Sequence, residues 1–227
     1  MLAQKIDMPA QQGRVMSKSN NVYDYIIEGL VFARYAFGER LLVKELSKDT
    51  GASRQPIMSA LNRLSAEGFV HIIPQVGCEV IHPSPTEIAD FFLLFQRQEG
   101  LLAELAASRR TEDELLELNH IQQRLLAVTN ADNPSPEKYL TLNQTFHHKI
   151  HLMAHSPLLD RKQRKNFHMI DFFINHSIGF DKLMLGVVEE HNPIIDAITD
   201  QDPERARVES ENHITAVAKA VLDNLEK

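Results

Sequence analysis

The chain has 227 residues, of which 43% are hydrophobic and 24% charged, and its formal net charge at pH 7 is −7. No apolar run approaches the roughly 18 residues of a membrane-spanning helix, which excludes a membrane class, so a cytoplasmic protein is expected. A single cysteine, Cys78, excludes an internal disulfide and fits a reducing compartment. Residues 1–19 are polar and lack a long apolar core, which predicts a flexible N-terminal arm and no signal peptide.

Residues 20–82 have the pattern of short helices followed by β-rich runs. Apolar residues at helical spacing predict a first helix over 20–37. A short helical pattern over 41–47 ends at Gly51, and a second periodic stretch begins after Ser53, whose hydroxyl is a favourable N-cap. The two patterns predict two helices that are joined by a tight turn.

Two β-rich runs, 69–73 and 78–81, follow these helices and predict a hairpin. Two helices, a tight turn and a hairpin together predict a winged helix-turn-helix, whose second helix is sized for the DNA major groove. The exposed side of that second helix is polar. Its residues are Arg54, Gln55, Ser59, Asn62 and Arg63. Arginine binds phosphate or guanine, whereas Gln and Asn pair with adenine. A solvated helix face that packs against another protein is the alternative.

The charge is unevenly divided along the chain. Residues 1–83 contain nine basic and eight acidic residues, whereas the remainder contains 15 basic and 23 acidic residues. A nearly neutral head on an acidic body fits DNA binding by one end only.

After a linker at 82–85, whose two prolines interrupt regular structure, residues 86–227 read as helical throughout. Short connections between the helices predict an antiparallel bundle of six to seven helices, so the fold class is mainly α. The predicted helices cover 86–110, 111–129, 137–155, 158–179, 180–199 and 204–227. Thr111 is the expected N-cap of the second of these helices, which has an acidic first turn.

Eight of the eleven histidines lie between 147 and 213. Asn143 and His147 are four residues apart and share a helix face. His191 and His213 lie at similar distances before and after the turn near Gln201, so a helical hairpin would bring them to the same level. Three imidazoles and one oxygen donor would form an open site for zinc or nickel. The alternative is that they are hydrogen-bonded core histidines. His151 is a reserve ligand.

The helix-turn-helix stretch resembles the DNA-binding domain of the GntR family of bacterial regulators over about forty residues. The residues in register are Gly38, Leu41, Leu46, Gly51, Ser53, Arg54, Pro56, Ala60, Leu61, Leu64, Glu67, Gly68 and Gly77. The resemblance implies that Arg54 contacts DNA, that Arg63 lies on the same helix and that Gly77 lies at the wing tip by the minor groove. Met58 replaces an arginine that commonly reads the operator, so the operator sequence cannot be transferred.

The second half resembles the all-helical ligand-binding (FCD) domain of the FadR-like branch of that family. The matching residues are Phe146, His147, Glu190, His191, Ile194, Ala197, Ile198, Asp202 (one residue late) and His213. The resemblance implies that Asn143, His147, His191 and His213 bind a divalent metal, which helps to hold a small carboxylate effector. Asn143 replaces an aspartate and is a weaker, neutral ligand. Arg97 would meet the effector carboxylate or form an ion pair with a glutamate.

These features predict a homodimeric, metabolite-responsive transcription regulator that binds a pseudo-palindromic operator in double-stranded DNA. Repression that the effector relieves is the commoner behaviour of the family it resembles, and activation is the alternative. The dimer surface is predicted on the 86–110 helix, and no membrane partner is expected. The dimer candidates there are Phe91, Phe95, Leu101, Leu102, Leu105 and Ala106. A regulator that senses the metal itself is the first alternative. A metal-dependent hydrolytic enzyme is the second, but no acid–base pair is placed by a recognisable motif.

Overall fold

A computed structural model describes residues 18–225 of the chain. In this part of the chain, ten helices and three strands are formed, so the fold is mainly α as predicted. Their bounds are α1 Lys18–Val31, β1 Arg40–Leu42, α2 Val43–Thr50, α3 Arg54–Ala66, β2 Val70–Ile73, β3 Gly77–Val80, α4 Pro85–Arg109, α5 Glu112–Thr129, α6 Pro136–Met153, α7 Pro157–Ser177, α8 Phe180–Val187, α9 His191–Thr199 and α10 Pro203–Leu225. None of the described helices is long and apolar enough to cross a membrane.

The first three helices and the small sheet form a winged helix-turn-helix, here called the head. The sheet is antiparallel with the order β1-β3-β2, and β2 and β3 form the predicted wing hairpin. Ile26 and Leu30 of α1 are fully buried with Ile57, Leu61 and Leu64 of α3. Burial of these aliphatic side chains is the main favourable free energy that holds α3, here called the recognition helix, on the rest of the head.

Several predicted boundaries of the head are wrong. The predicted arm at 1–19 lies mostly outside the described residues, but α1 already begins at Lys18. The first helix ends at Val31, well before residue 37, because Ala33 takes a positive φ of 53° that breaks helical geometry. Leu41 and Leu42 belong to strand β1, which pairs with β3, and the helix predicted from residue 41 starts only at Val43.

At two positions of the head the backbone geometry requires glycine. Gly51 ends α2 in the left-handed conformation with φ 66°, which glycine adopts without steric cost. Gly77 is the first residue of β3, and a Cβ atom there would lie 2.1 Å from the carbonyl oxygen of Leu41. Gly77 therefore lets β1 and β3 approach closely. It is buried and pairs with Ile73 directly after the turn at residues 74–76, so it closes the wing hairpin.

The other seven helices, α4 to α10, form a bundle, here called the body. Helix α4 packs along α10, and α9 and α10 form a helical hairpin. The body helices α4 and α5 begin with capping boxes at Ser84 and Thr111, which satisfy otherwise unpaired N–H groups. The single helix predicted over 180–199 is instead two helices, because the chain turns at residues 188–190.

Helix α7 connects the body to the head. His176 lies between two carbonyl oxygens, those of Tyr35 and Phe172, at 2.8 Å from each. The amide of Asn175 donates to the carbonyl oxygen of Val31 at 3.0 Å, and the ring of Phe37 packs edge-on against Phe172. The body therefore contacts the head through side chains of α7, in addition to the chain connection at residues 81–84.

Candidate metal centre and DNA-binding face

Three buried histidines from three helices meet in the body: His147 of α6, His191 of α9 and His213 of α10. Each offers one ring nitrogen to a group whose atoms all lie within 4.8 Å of one another, a spacing that could hold a metal ion. The ring centroids of His191 and His213 are 4.9 Å apart, as the hairpin of α9 and α10 requires. Phe146 stacks on the ring of His191 at 3.9 Å and restricts its orientation.

The Nδ1 atoms of all three rings face side-chain oxygens. The pairs are His147 with Glu99 at 3.0 Å, His191 with Gln122 at 3.1 Å and His213 with Glu190 at 3.1 Å. Such acceptors favour the tautomer that carries its proton on Nδ1, which donates to the oxygen. The lone pair is then on Nε2 of each ring, and this is the arrangement that metal-binding histidines require.

Two buried atoms at the predicted ligand positions have no hydrogen-bond partner within residues 18–225: Nε2 of His191 and Oδ1 of Asn143. Asn143 precedes His147 by one helical turn and therefore lies on the same side of α6. An unpaired buried polar atom is costly unless something absent from the polypeptide binds it. The three imidazoles fit a divalent cation of the zinc type, and the amide oxygen of Asn143 is the candidate fourth ligand from the same face of α6.

Burial also favours the neutral form of His147 and His191. Desolvation lowers the pKa of His147, although Glu99 opposes the effect, and it lowers the pKa of His191 well below its usual value, helped by the neighbouring His213 and His147. A metal ligand must be an uncharged imidazole, so this environment favours the form that binds a cation.

Glu99 of α4 is a buried carboxylate that contacts His147 on the ring nitrogen opposite its free Nε2. Besides His147, it faces Nε2 of His151 at 2.8 Å and accepts from Gln163 at 2.7 Å. Burial alone would raise the pKa of Glu99, but the charge of His151 and the hydrogen bonds of His147 and His151 lower it far below its usual range. His151 thus contacts Glu99 and is outside the group of three, so the structure does not favour it as a reserve ligand.

Arg97 lies on α4 two residues before Glu99, and side chains at that spacing point to different sides of a helix. Its guanidinium donates to Glu211 of α10 at 2.6 Å. The ion-pair alternative for Arg97 is therefore the one that the geometry favours over an effector contact.

Sequence reasoning missed Gln122, which also donates to the carbonyl oxygen of Val188 at 2.8 Å. A glutamine in an amphipathic helix gives no signal of this role, because the register of α5 against α9 depends on tertiary packing. Glu190 was recognised only as part of a family pattern. Its adjacency to His191 gives no indication that its carboxylate accepts a hydrogen bond from His213.

The predicted DNA-binding residues lie mostly on the open side of α3. Arg54, Gln55, Ser59 and Asn62 are exposed, as is Ser53 just before the helix. Ser53 is the N-cap residue of α3 as expected, but its hydroxyl does not make the capping hydrogen bond that was predicted. Arg63 differs from the others, since its guanidinium lies 3.5 Å from the Tyr23 ring centroid and pairs with Glu67 at 3.0 Å.

Two family profiles match the chain. The profile of bacterial regulatory proteins of the gntR family matches residues 18–80, and the FCD domain profile matches residues 98–216. Among solved structures, Escherichia coli McbR/YncC superposes with a TM-score of 0.76 at 18% identity, covering 94% of this chain and 100% of that one. A GntR regulator from Rhodococcus sp. RHA1 gives 0.70 at 15% identity, covering 92% and 99%.

Curated relatives are regulators as well. An uncharacterized HTH-type regulator of Streptomyces ambofaciens is 25% identical over 91% of this chain and 84% of its own length. The repressor RspR of E. coli K12 is 26% identical over 60% of this chain and 59% of its own length. A probable D-xylose utilization operon repressor of Paenarthrobacter nicotinovorans is 23% identical over 89% and 88%. The chain therefore belongs to the GntR family, as a DNA-binding transcription regulator with an FCD domain and not an enzyme.

Proposed function

We propose that this regulator binds a divalent metal, zinc or nickel, in its body and that the metal helps to hold a small carboxylate effector. The observation that carries the proposal is the orientation of three buried imidazoles, each with Nδ1 on an oxygen acceptor and Nε2 left for a ligand. The ligands would be His147, His191 and His213, with the amide oxygen of Asn143 as the fourth. When bound, such an ion offers an open coordination position to a carboxylate oxygen.

Asn143 is the ligand that is expected to bind the metal least strongly. An amide oxygen is neutral, whereas the aspartate expected from the family resemblance carries a charge. A metal bound here should therefore be held less tightly and exchange more readily than in relatives with the carboxylate. The buried, unpaired Oδ1 of Asn143 supports its role as a ligand despite this difference.

We further propose that the protein acts as a homodimer and a repressor, with two heads on the half-sites of an operator. Two of the three relatives described above are named repressors. Three leucines on α4 are exposed and suit a subunit contact: Leu93, Leu94 and Leu101. Phe95, Leu102 and Ala106, which the sequence suggested for this contact, are buried within the chain, so they are not available to a partner.

Effector control requires that the effector binds one arrangement of the heads more tightly than the other. Arg54, Gln55, Ser59, Asn62 and Ser53 are the proposed DNA-contacting side chains. Fluorescence anisotropy on operator DNA, repeated with metal-free protein, with zinc or nickel, and with metal plus dicarboxylates, tests the proposal. Release that requires metal and a carboxylate together supports it. Release by metal alone would instead indicate a metal sensor, and equal affinity under all conditions would refute control through this site.

A further inference from the structure

A cavity of about 360 Å³ lies where the head meets α7 of the body. Its wall combines side chains of α1 and of the C-terminal end of α3 with side chains from about two turns of α7. The lining residues are Tyr23, Arg63, Glu67, Arg161, Arg164, Lys165 and His168. The cavity is therefore shared between the part that reads DNA and the part that holds the histidine cluster.

The cavity is basic although the whole chain has a net charge of −7. Four of its seven lining residues are Arg or Lys, and Glu67 is the one carboxylate among them. Two of the cations already have partners, because Arg63 pairs with Glu67 and Arg164 pairs with Asp160 at 3.2 Å. Arg161 and Lys165 are exposed and have no carboxylate within 4.0 Å among the residues that the structure describes. Two positive charges beside the cavity thus have no ion-pair partner in the described part of the chain.

The head side of the cavity is held in place before any ligand arrives. The Tyr23 hydroxyl donates to Glu67 at 2.6 Å, and Glu67 in turn accepts from Arg63. The Arg63 guanidinium is stacked over the Tyr23 ring, which restricts a side chain that would otherwise be mobile. Preorganised donors lose less entropy on binding than free surface side chains do.

We propose that this cavity binds a small anion with at least one phosphate group, which bridges Arg63 of the recognition helix and the Arg161–Lys165 face of α7. Guanidinium groups match the geometry of phosphate oxygens, and a lysine adds a compact charge. His168 is half-buried, and desolvation lowers its pKa, so it offers a neutral imidazole N–H. The site goes beyond the metal-dependent effector function and uses none of the proposed metal ligands.

Occupancy of this site should influence DNA binding, because the anion would tie α3 to α7. Two α7 residues of this cavity also lie close to the histidine cluster. Arg164 and His168 line a second cavity of about 390 Å³ with Phe167, and the Phe167 ring lies 5.4 Å from that of His147. Arg164 and His168 therefore line both the cavity beside the histidines and the cavity beside the recognition helix.

Isothermal titration calorimetry of the full-length protein with inorganic pyrophosphate, in phosphate-free buffer, tests the proposal. The variants are Arg161→Gln and Lys165→Gln, which remove exposed charges and leave the core untouched. Lys162→Gln is the matched control, because Lys162 is exposed on the same helix but lies beside Leu101 and Leu159, outside the cavity. Wild-type protein should bind with a Kd below about 1 mM, and each cavity variant should weaken binding about tenfold. The control should stay within about twofold.

Three results would overturn the proposal. The first is no binding by the wild type at about 10 mM pyrophosphate. The second is an equal loss in Lys162→Gln, which would mean general attraction to a basic helix. The third is weaker DNA binding by the cavity variants with unchanged pyrophosphate affinity, which would make this face a contact for the DNA backbone. Added pyrophosphate should also change the operator affinity of the wild type more than that of Lys165→Gln.

Discussion

Replacing Glu99 with glutamine tests how the histidine cluster is kept ready for a metal. Glu99 accepts from three groups, with His147 on Oε2 and both His151 and Gln163 on Oε1. Glutamine keeps the shape but substitutes one oxygen with an NH₂ group, which can only donate. Glu99→Gln therefore cannot satisfy all three neighbours in their present hydrogen-bonding arrangement.

Each orientation of the new amide has a cost. If its NH₂ faces His147, that ring must move its proton to Nε2, which removes the lone pair that would bind metal. If its NH₂ faces Gln163, two donors meet at 2.7 Å unless Gln163 turns over and gives up the bond that it accepts from Asn166. The loss of one hydrogen bond to a charged acceptor costs about 1.5–3 kcal/mol in stability. A lost outer partner typically lowers metal affinity about 10–100-fold.

Competition with a chromophoric zinc chelator measures the metal affinity, and urea unfolding of the metal-free protein measures the stability. Glu104→Gln, on the same helix but outside the hydrogen bonds of the site, is the control and should behave like the wild type. A zinc affinity of Glu99→Gln within about threefold of the wild type would refute the reasoning, because it would show that this carboxylate does not orient the ligand His147.

Three further outcomes are expected. Burial raises the pKa of Asp171 from 3.8 to about 7, so stability should fall as pH rises from about 4 to about 7. Asp171→Asn should flatten that part of a pH series of urea unfolding, by up to about 4 kcal/mol. Gly100→Ala should destabilise by about 1–2 kcal/mol in thermal unfolding, since its Cβ would lie 2.7 Å from Cγ of Glu211, whereas Gly186→Ala, with open space, should stabilise slightly. Arg54→Ala should weaken operator binding and reduce the salt slope by about one, measured by anisotropy at several salt concentrations.

The sequence was most informative where local chemistry decides the structure. Thr111 with its acidic first turn marked the start of α5, and Gly51 marked the end of α2. The spacing of His191 and His213 about a turn was sufficient to predict their approach, because helical rise is constant. Strand β1 could not be foreseen, since three residues carry almost no pattern and its pairing with β3 depends on the close approach at Gly77.

Longer-range features escaped prediction for a different reason. The break between α8 and α9 is an exception, because the polar run 189–192 followed by Pro193 is a local signal for a new helix start, which the prediction of one helix over 180–199 overlooked. The contacts of Glu99 and Gln122 depend on which faces of α4, α5 and α6 meet, and a single sequence does not encode that in any local signal. The burial of Phe95 and Leu102 has the same origin, because an apolar helix looks alike whether it faces its own core or a second subunit.

Metal content is the most direct test of the central claim that the buried histidines form a metal centre. The protein should be purified without a chelator or a histidine tag and analysed for its elements beside His191→Ala and His213→Ala. The account predicts about one zinc or nickel per chain in the wild type, lost in both variants. A wild type that holds no metal even after soaking with both ions, or variants that retain it fully, would contradict the account.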